Sequence, residues 1–271
     1  MKPILSYDRN IEETEEDSMN PVVVRNVSIG EGMPKICVPI VGETREEILK
    51  AAKEIVNAPA DIVEWRADWY ESVLEMQKVV ALSKELREIL GEKPILFTFR
   101  TKAEGGEKEL QARAYAMLNQ MMIASGYIDL IDVEVFTAKE EATAIIEAAH
   151  KYGVNVVGSN HDFTKTPDKE EIVRRLCDMQ DMGVDIPKLA VMPQNKKDIL
   201  TLLEATDEMV SYHADRPIVT MSMSGMGAVS RITGELFGSA ITFGALGKTS
   251  APGQISVVEL KNILEIMHKE L

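Results

Sequence analysis

Three observations predict an α/β chain that closes into a (β/α)8 TIM barrel, with a short N-terminal β-hairpin before it. From Lys35 onward, short apolar runs alternate with longer amphipathic stretches, and this happens about eight times. Strand and helix in turn imply parallel strands joined by right-handed crossovers. The chain has 271 residues, and one such barrel typically takes about 250. The competing architecture, a doubly wound open sheet, usually has a Gly-rich phosphate turn after its first strand. No such turn follows residues 35–41.

Residues 8–17 (DRNIEETEED) are strongly acidic and lack apolar periodicity. Residues 1–20 are therefore expected to form an acidic N-terminal extension, solvated and disordered. Residues 21–271 are left for a single (β/α)8 barrel catalytic domain. VVVRNVSIGEG (22–32) is a β-branched run entering a Gly turn, the pattern of a short hairpin. The predicted barrel strands follow as KICVPIV (35–41), DIVEWRA (61–67), PILFTFR (94–100), YIDLIDVEV (127–135), VNVVGSN (154–160), IPKLAVM (186–192), PIVTMSM (217–223) and SAITFGA (239–245). Between them, stretches such as TREEILKAAKEIV, KEEIVRRLCDMQDMG and SVVELKNILEIMHKEL have helical spacing. Two open with a capping signature, Thr44 with Glu47 and Ser256 with Glu259. The architecture repeats, but no repeated sequence motif is evident.

Composition excludes several function classes. A formal net charge of −14 argues against a nucleic-acid partner, which needs clustered Lys and Arg. It leaves room for a small anionic substrate, because a few local Arg residues outweigh a distant negative surface. No apolar run reaches the roughly 18 residues of a membrane span. MKPILSYDRN has no basic region leading into a long apolar stretch, so no secretory signal is expected. Cys37 and Cys177 lie in different predicted elements without CxxC spacing, and both read as buried free thiols. A cytoplasmic protein is the expectation.

Barrel active sites lie at the C-terminal ends of the strands, and the chemistry-bearing residues cluster late in the apolar runs. Lys188 sits among apolar positions in IPKLAVM. An ammonium is costly to bury without a partner, and a neutral amine attacks carbonyls. The alternative is a lysine that snorkels out at the strand's start. His161 ends the preceding run, and an imidazole there can serve as acid and base or simply cap a loop. Asp162 beside it reads as a loop holder. Arg66 and Arg100 end runs in EWR and TFR, and Arg231 lies early in the predicted helix GMGAVSRITGELFG. Together they suit an anionic, oxygen-rich substrate. Glu64, two residues before Arg66, shares its strand face and either bonds substrate hydroxyls or holds the Arg. Glu104, in TKAEGGEKEL, either orients His161 or is a solvated loop acid. Asp132 and Glu134 share one strand face; with His161 they could ligate a metal, but no HxH, HExxH or spaced Cys set supports this, and salt bridging inside the barrel is the preferred reading. Met221 and Met223 pack or wall a pocket. GKTSAPGQIS (247–256) is a loop, or a lid that carries Ser250 and Gln254 over the mouth.

In sum, these residues resemble the type I 3-dehydroquinate dehydratase family. The resemblance runs from GEGMPKICV at residue 30 to the final helix, through EWRAD, TFRTKAEGG, SNHDF, KTPDKEEIV, DIPKLAVMPQ, ADRPIVTMSMSG, FGSAITFGA and SAPGQIS. It implies a Schiff-base-forming lyase of the shikimate pathway of aromatic amino acid biosynthesis, converting 3-dehydroquinate to 3-dehydroshikimate. It implies Lys188 as the imine lysine, His161 as general acid and base, and Glu104 as its partner. Substrate contacts correspond to Glu64, Arg66, Arg100, Arg231, Ser250 and Gln254, with Met221, Met223 and Phe243 lining the pocket. It further implies a homodimer, no cofactor and no metal. Two departures stand out. Pro39 occupies a position where some relatives carry a substrate-touching Ser, and the acidic extension lies outside the family pattern.

Three other readings share parts of this pattern. A Schiff-base aldolase acting on a phosphorylated sugar would keep the lysine but add a Gly-rich phosphate site after the last two strands. A metal-dependent lyase would use His161, Asp132 and Glu134. A silent barrel would bind a hydroxylated carboxylate without turning it over.

Overall fold

Strands take up the centre of the chain's fold because their apolar runs are short, β-branched and bounded by turn residues. The helices between them place one apolar stripe on the sheet. The computed structural model describes residues 20–137, 139–247 and 253–271. The expectation for the acidic extension therefore falls outside the described residues, apart from Asn20, as does Ser250.

β1 (Val22–Val24) and β2 (Val27–Ile29) form an antiparallel hairpin. The barrel elements follow as β3 (Lys35–Ile40), α1 (Arg45–Ile55), β4 (Ile62–Arg66), α2 (Met76–Leu90), β5 (Ile95–Thr98), α3 (Ala112–Ser125), β6 (Leu130–Glu134), α4 (Lys139–Lys151), β7 (Asn155–Asp162), α5 (Lys169–Asp181), β8 (Ile186–Val191), α6 (Lys196–Tyr212) and β9 (Val219–Ser222). The last part comprises α7 (Ala228–Ile232), α8 (Gly234–Phe237), β10 (Ile241–Ala245), β11 (Ile255–Ser256) and α9 (Val257–Glu270). The strands β1 to β10 lie within the predicted runs, except that β7 continues to Asp162; β11 falls in the stretch expected to be a loop or lid. The parallel sheet runs β11-β10-β3-β4-β5-β6-β7-β8-β9. The Thr44–Glu47 capping box forms as predicted. Ser256 does not cap α9 with its side chain; it pairs in β11 opposite Ala245 instead.

The barrel closes loosely between β9 and β10. They share the bridge Ile218↔Ser239, and Ala240 N–H donates to Ile218 O at 2.8 Å. Farther up β9, hydroxyls replace the missing neighbour. Thr220 N–H donates to Ser239 Oγ at 3.1 Å, and Ser222 N–H to Ser230 Oγ at 2.9 Å. This satisfies buried donors that would otherwise be costly. Into the gap come α7, tied by Thr242 Oγ1 donating to Arg231 O at 2.8 Å, and β11, paired to β10 at Gly244↔Ile255. Pro39 costs no ladder bond here. Its missing N–H lies beyond Phe243↔Cys37, the last rung between β10 and β3.

At the opposite end, a device recurs on alternate strand pairs. Asp61 donates its N–H to Ile36 O at 2.9 Å and accepts from Ile36 N–H through Oδ2 at 2.8 Å. Asp129 does the same with Ile95, at 3.0 and 2.8 Å, and Asp185 with Val156, at 3.0 and 2.7 Å. Each aspartate thus clasps a residue at the start of the preceding strand, one rung below the ladder. Asp129 also receives Arg25 Nε at 2.6 Å, which holds the hairpin turn against the barrel. That turn places Arg25 at φ 53, a conformation non-glycine residues adopt at some cost.

Cys37 is fully buried, and burial pushes its thiol up. Cys177 is only half-buried, its Sγ 3.7 Å from Met209 Sδ on α6, so the expectation of two buried thiols holds for one. Among the described residues no helix is long and apolar enough to cross a membrane.

Asp61→Ala removes one clasp without touching the mouth of the barrel. It leaves the Ile36 N–H without its acceptor, at an expected cost of about 1–3 kcal/mol. Urea denaturation should show a lower midpoint at unchanged slope. Ligand binding at the cavity should be unaffected.

Candidate active site

Strand alternation sorts the barrel interior into layers. The lowest is apolar and takes one residue from each strand: Cys37, Ile62, Leu96, Leu130, Val157, Ile186, Val219 and Ile241. Val24 and Ile29 of the hairpin pack into the same cluster and stop the lower end. Two residues along, the layer turns polar with Glu64, Thr98, Asp132, Ser159 and Lys188, completed by Met221 and Phe243. The register Ser159↔Lys188 sets two of them side by side. Above these lie Arg66, Arg100 and His161, which line one cavity with Glu64, Lys188, Met221 and Phe243.

Lys188 is 4% exposed, and its Nζ lies 4.7 Å from the centre of the Phe243 ring. It is not among apolar groups alone, as its flanking residues suggested. Nζ donates to Asp132 Oδ2 at 3.2 Å. Asp132 Oδ1 accepts from Arg100 Nη2 at 2.7 Å and Ser159 Oγ at 2.6 Å. Burial drives the Asp132 carboxyl up, but Arg100 and Lys188 outweigh it and hold it below its ordinary value. Arg100 Nη1 reaches Glu134 Oε1 at 3.0 Å, Ser159 Oγ at 2.9 Å and Glu104 Oε2 at 3.3 Å. Glu134 also accepts from Thr101 N–H at 2.8 Å and Thr101 Oγ1 at 2.7 Å. Asp132 and Glu134 thus spend their oxygens on cations and donors of the protein itself, the salt-bridging arrangement expected of them.

His161 and Glu104 form a close pair. Glu104 Oε2 accepts from His161 Nδ1 at 2.9 Å and from the His161 backbone N–H at 3.0 Å. The side-chain bond selects the tautomer with its proton on Nδ1 and leaves Nε2 as the free base. Glu104 is 5% exposed and no solvated loop acid. Burial, with Glu134 and Asp132 nearby, pushes its carboxyl up to about 7 against the pull of Arg100. Burial first, then Arg100, Lys188 and Arg66, hold His161 well below its ordinary value, so its resting form is neutral. Two glycines permit this geometry. A Cβ on Gly106 would meet Arg100 O at 1.9 Å, and one on Gly105 would meet the Phe163 ring at 2.3 Å. That ring stacks on His161 with centroids 6.5 Å apart.

Arg66 is braced by Asp68, which takes Nε and Nη2 at 2.9 Å each and is fully buried. Glu64 was one candidate for holding Arg66; in the structure it accepts from Thr98 Oγ1 at 2.9 Å. Arg231 does not lie early in a long helix. The chain breaks into α7 and α8 around Thr233, and Arg231 sits in the last turn of α7, 2% exposed. Burial pulls its guanidinium down to about 10, so it remains a cation at neutral pH. Its Nη1 lies 3.9 Å from Met221 Sδ. Met223, Phe243 and Gln254 line the same cavity.

A model of one family, type I 3-dehydroquinase, matches residues 36–270 of this chain. The chain belongs to the type I 3-dehydroquinase family. A 3-dehydroquinate dehydratase of Clostridioides difficile (strain 630) is 54% identical over 250 residues, covering 92% of this chain and 98% of its own. One from Listeria welshimeri is 53% identical over 252 residues, covering 93% and 100%. A crystal structure of the type I enzyme from Clostridium difficile, with covalently modified comenic acid, superposes with a TM-score of 0.90 at 54% identity, covering 93% of this chain and 98% of that one. The Enterococcus faecalis 3-dehydroquinate dehydratase gives 0.86 at 48%, covering 91% and 99%.

The structure of this type I 3-dehydroquinase family member brings Lys188, His161, Glu104, Glu64, Arg66, Arg100, Arg231, Gln254, Met221, Met223 and Phe243 to one cavity. Sequence reasoning missed Asp68 and Ser159. Asp68 lies in the quoted EWRAD, where its alternation with Arg66 was the available signal.

The raised Glu104 carboxyl has a sign that can be checked. Its folded-state value, about 7, lies above the ordinary glutamate value of 4.5, so the folded protein holds the proton more tightly between the two. The stability this confers is complete below pH ~4.5 and is lost as the pH rises toward 7. Measured against Glu104→Gln, the wild type should lose roughly 3 kcal/mol between pH 4.5 and 8 in paired urea titrations. Parallel curves for the two proteins would show that Glu104 titrates normally.

Proposed function

We propose that this chain dehydrates 3-dehydroquinate to 3-dehydroshikimate through an imine on Lys188, with His161 as general acid and base. Family membership and the curated relatives support the reaction. The observation that carries the mechanism is the polar floor of the cavity, where buried Lys188 and neutral His161, bonded to Glu104, face the same space. The relative solved with covalently modified comenic acid adds support for a covalent route.

Lys188 gives a proton to Nε2 of His161, and the amine so freed attacks the C3 ketone; His161 returns that proton to the departing hydroxyl, and loss of water gives an iminium that draws electrons from C2. Nε2 of His161 removes the C2 proton, and the electron pair enters the enamine. The pair then returns to expel the C1 hydroxyl, which leaves as water with the proton held by His161. Hydrolysis of the conjugated imine frees the product and the lysine. Glu104 keeps the imidazole in the tautomer this needs and offsets its charge when it is protonated. Arg231 receives the substrate carboxylate, since it is a buried cation at the cavity wall. Glu64, Arg66, Gln254 and Ser250 serve the ring hydroxyls, while Met221, Met223 and Phe243 wall the apolar side. Arg100 braces the acids rather than gripping substrate with both nitrogens, because Nη1 and Nη2 are already bonded inside the protein.

Borohydride reduction in the presence of 3-dehydroquinate tests the scheme. The expected result is a ligand-sized mass gain mapped to Lys188 and absent in Lys188→Ala. His161→Ala should still form the adduct but lose about 10²- to 10⁴-fold in kcat. Turnover without any adduct would reject Lys188 as the nucleophile, and near-normal turnover in His161→Ala would reject the role of the histidine.

A further inference from the structure

Glu104 gives only one oxygen to His161. The other, Oε1, accepts from Asn160 Nδ2 at 3.3 Å and from Thr137 Oγ1 at 3.5 Å. Asn160 is the residue before His161 in β7, and strand alternation sends the two side chains to opposite faces. On its outer side, Asn160 Oδ1 accepts from Arg175 Nη1 of α5 at 3.0 Å. Arg175 is itself held by Glu171, which takes its Nε at 2.7 Å.

The chemistry of these partners settles which way the amide points. A guanidinium only donates and a carboxylate only accepts. Arg175 therefore demands the amide oxygen, and that turns the amide NH₂ toward Glu104. Adjacent residues of one strand thus grip the two oxygens of one carboxylate, and the outer grip is set from the surface of α5. We propose that Asn160 is a positioning residue for the His161–Glu104 pair, holding Glu104 as the carboxylate under the control of Arg175.

The surrounding charges make a single donor matter. Arg66 of β4, Arg100 after β5 and Lys188 of β8 face the pair as cations; Asp132 and Glu134 of β6 face it as anions. Burial and the β6 acids drive Glu104 toward the protonated form near neutral pH, while Arg100 and the Asn160 amide oppose this. Protonated Glu104 offers His161 one acceptor fewer and no charge to match an imidazolium. Loss of the amide donor should therefore end activity at a higher pH on the acid side.

This inference rests on the proposed dehydratase reaction, and the test separates the two. The pH dependence of kcat/KM toward 3-dehydroquinate is measured for the wild type, Asn160→Ala, Arg175→Met and His161→Ala, each with borohydride trapping. The acid limb should rise by about one pH unit in Asn160→Ala, the worth of a hydrogen bond to a charged group. It should rise by less in Arg175→Met, which keeps the amide but frees its orientation. Both variants should still form the adduct on Lys188. If Asn160→Ala does not fold, Arg175→Met, at a partly buried position of α5, carries the test. A uniform loss of activity with an unmoved acid limb in the folded variants would overturn the proposal and leave Asn160 a packing residue. Near-normal turnover in His161→Ala would instead bring down the underlying reaction scheme.

Discussion

The mouth of this barrel depends on one buried guanidinium. Arg100 is 4% exposed and bonds three carboxylates from two other segments of the chain, Asp132, Glu134 and Glu104. Without it, those acids would crowd one dry site with only Lys188 bonded among them as a cation, at Asp132. Breaking such a buried set by removing one partner typically costs about 3–5 kcal/mol. Its value is in placement more than in net stability. Through Asp132 it reaches Lys188, and through Glu104 it reaches His161, so both side chains are referred to the same fixed charge. The glycine at 106, where any Cβ would strike Arg100 O, belongs to this arrangement as firmly as the acids do.

Stability and chemistry are kept at opposite ends of the barrel. The aspartate clasps, the apolar ring and the hairpin all lie at the starts of the strands, where nothing reacts. The polar layer lies above them, on the same rigid strands, so Lys188 and His161 inherit their heights from the strand register rather than from a loop. The seam between β9 and β10 is the exception. There the ladder gives way to serine hydroxyls, and this irregularity admits Arg231 and Gln254 from segments outside the regular repeat.

Much of the fold was legible because short apolar runs and helical periodicity are local signals, and the strands lie close to the runs that predicted them. The inward set could also be read two residues at a time, which is why Glu64 with Arg66 and Asp132 with Glu134 were correctly paired by face. What the sequence hid are partnerships between distant elements. Asp68 is adjacent to the EWR motif, but nothing local says that Arg66 turns to it and leaves Glu64 to Thr98. The aspartates at 61, 129 and 185 each precede a strand, where an acid reads as ordinary turn chemistry. Their shared function emerges only when neighbouring strands are in register. Ser256 followed by Glu259 has the letters of a helix cap, yet pairing with Ala245 in the seam won over the cap. Helical propensity likewise favoured one helix through Arg231, and the packing at the seam broke it.

The stopped lower end makes the barrel a blind vessel. Val24 and Ile29 stop the apolar ring, so the space above Lys188 is closed on the side of the strand starts. Anything passing on that side would have to displace the hairpin. A feature far from the polar layer thus decides from which end of the barrel that layer is reached.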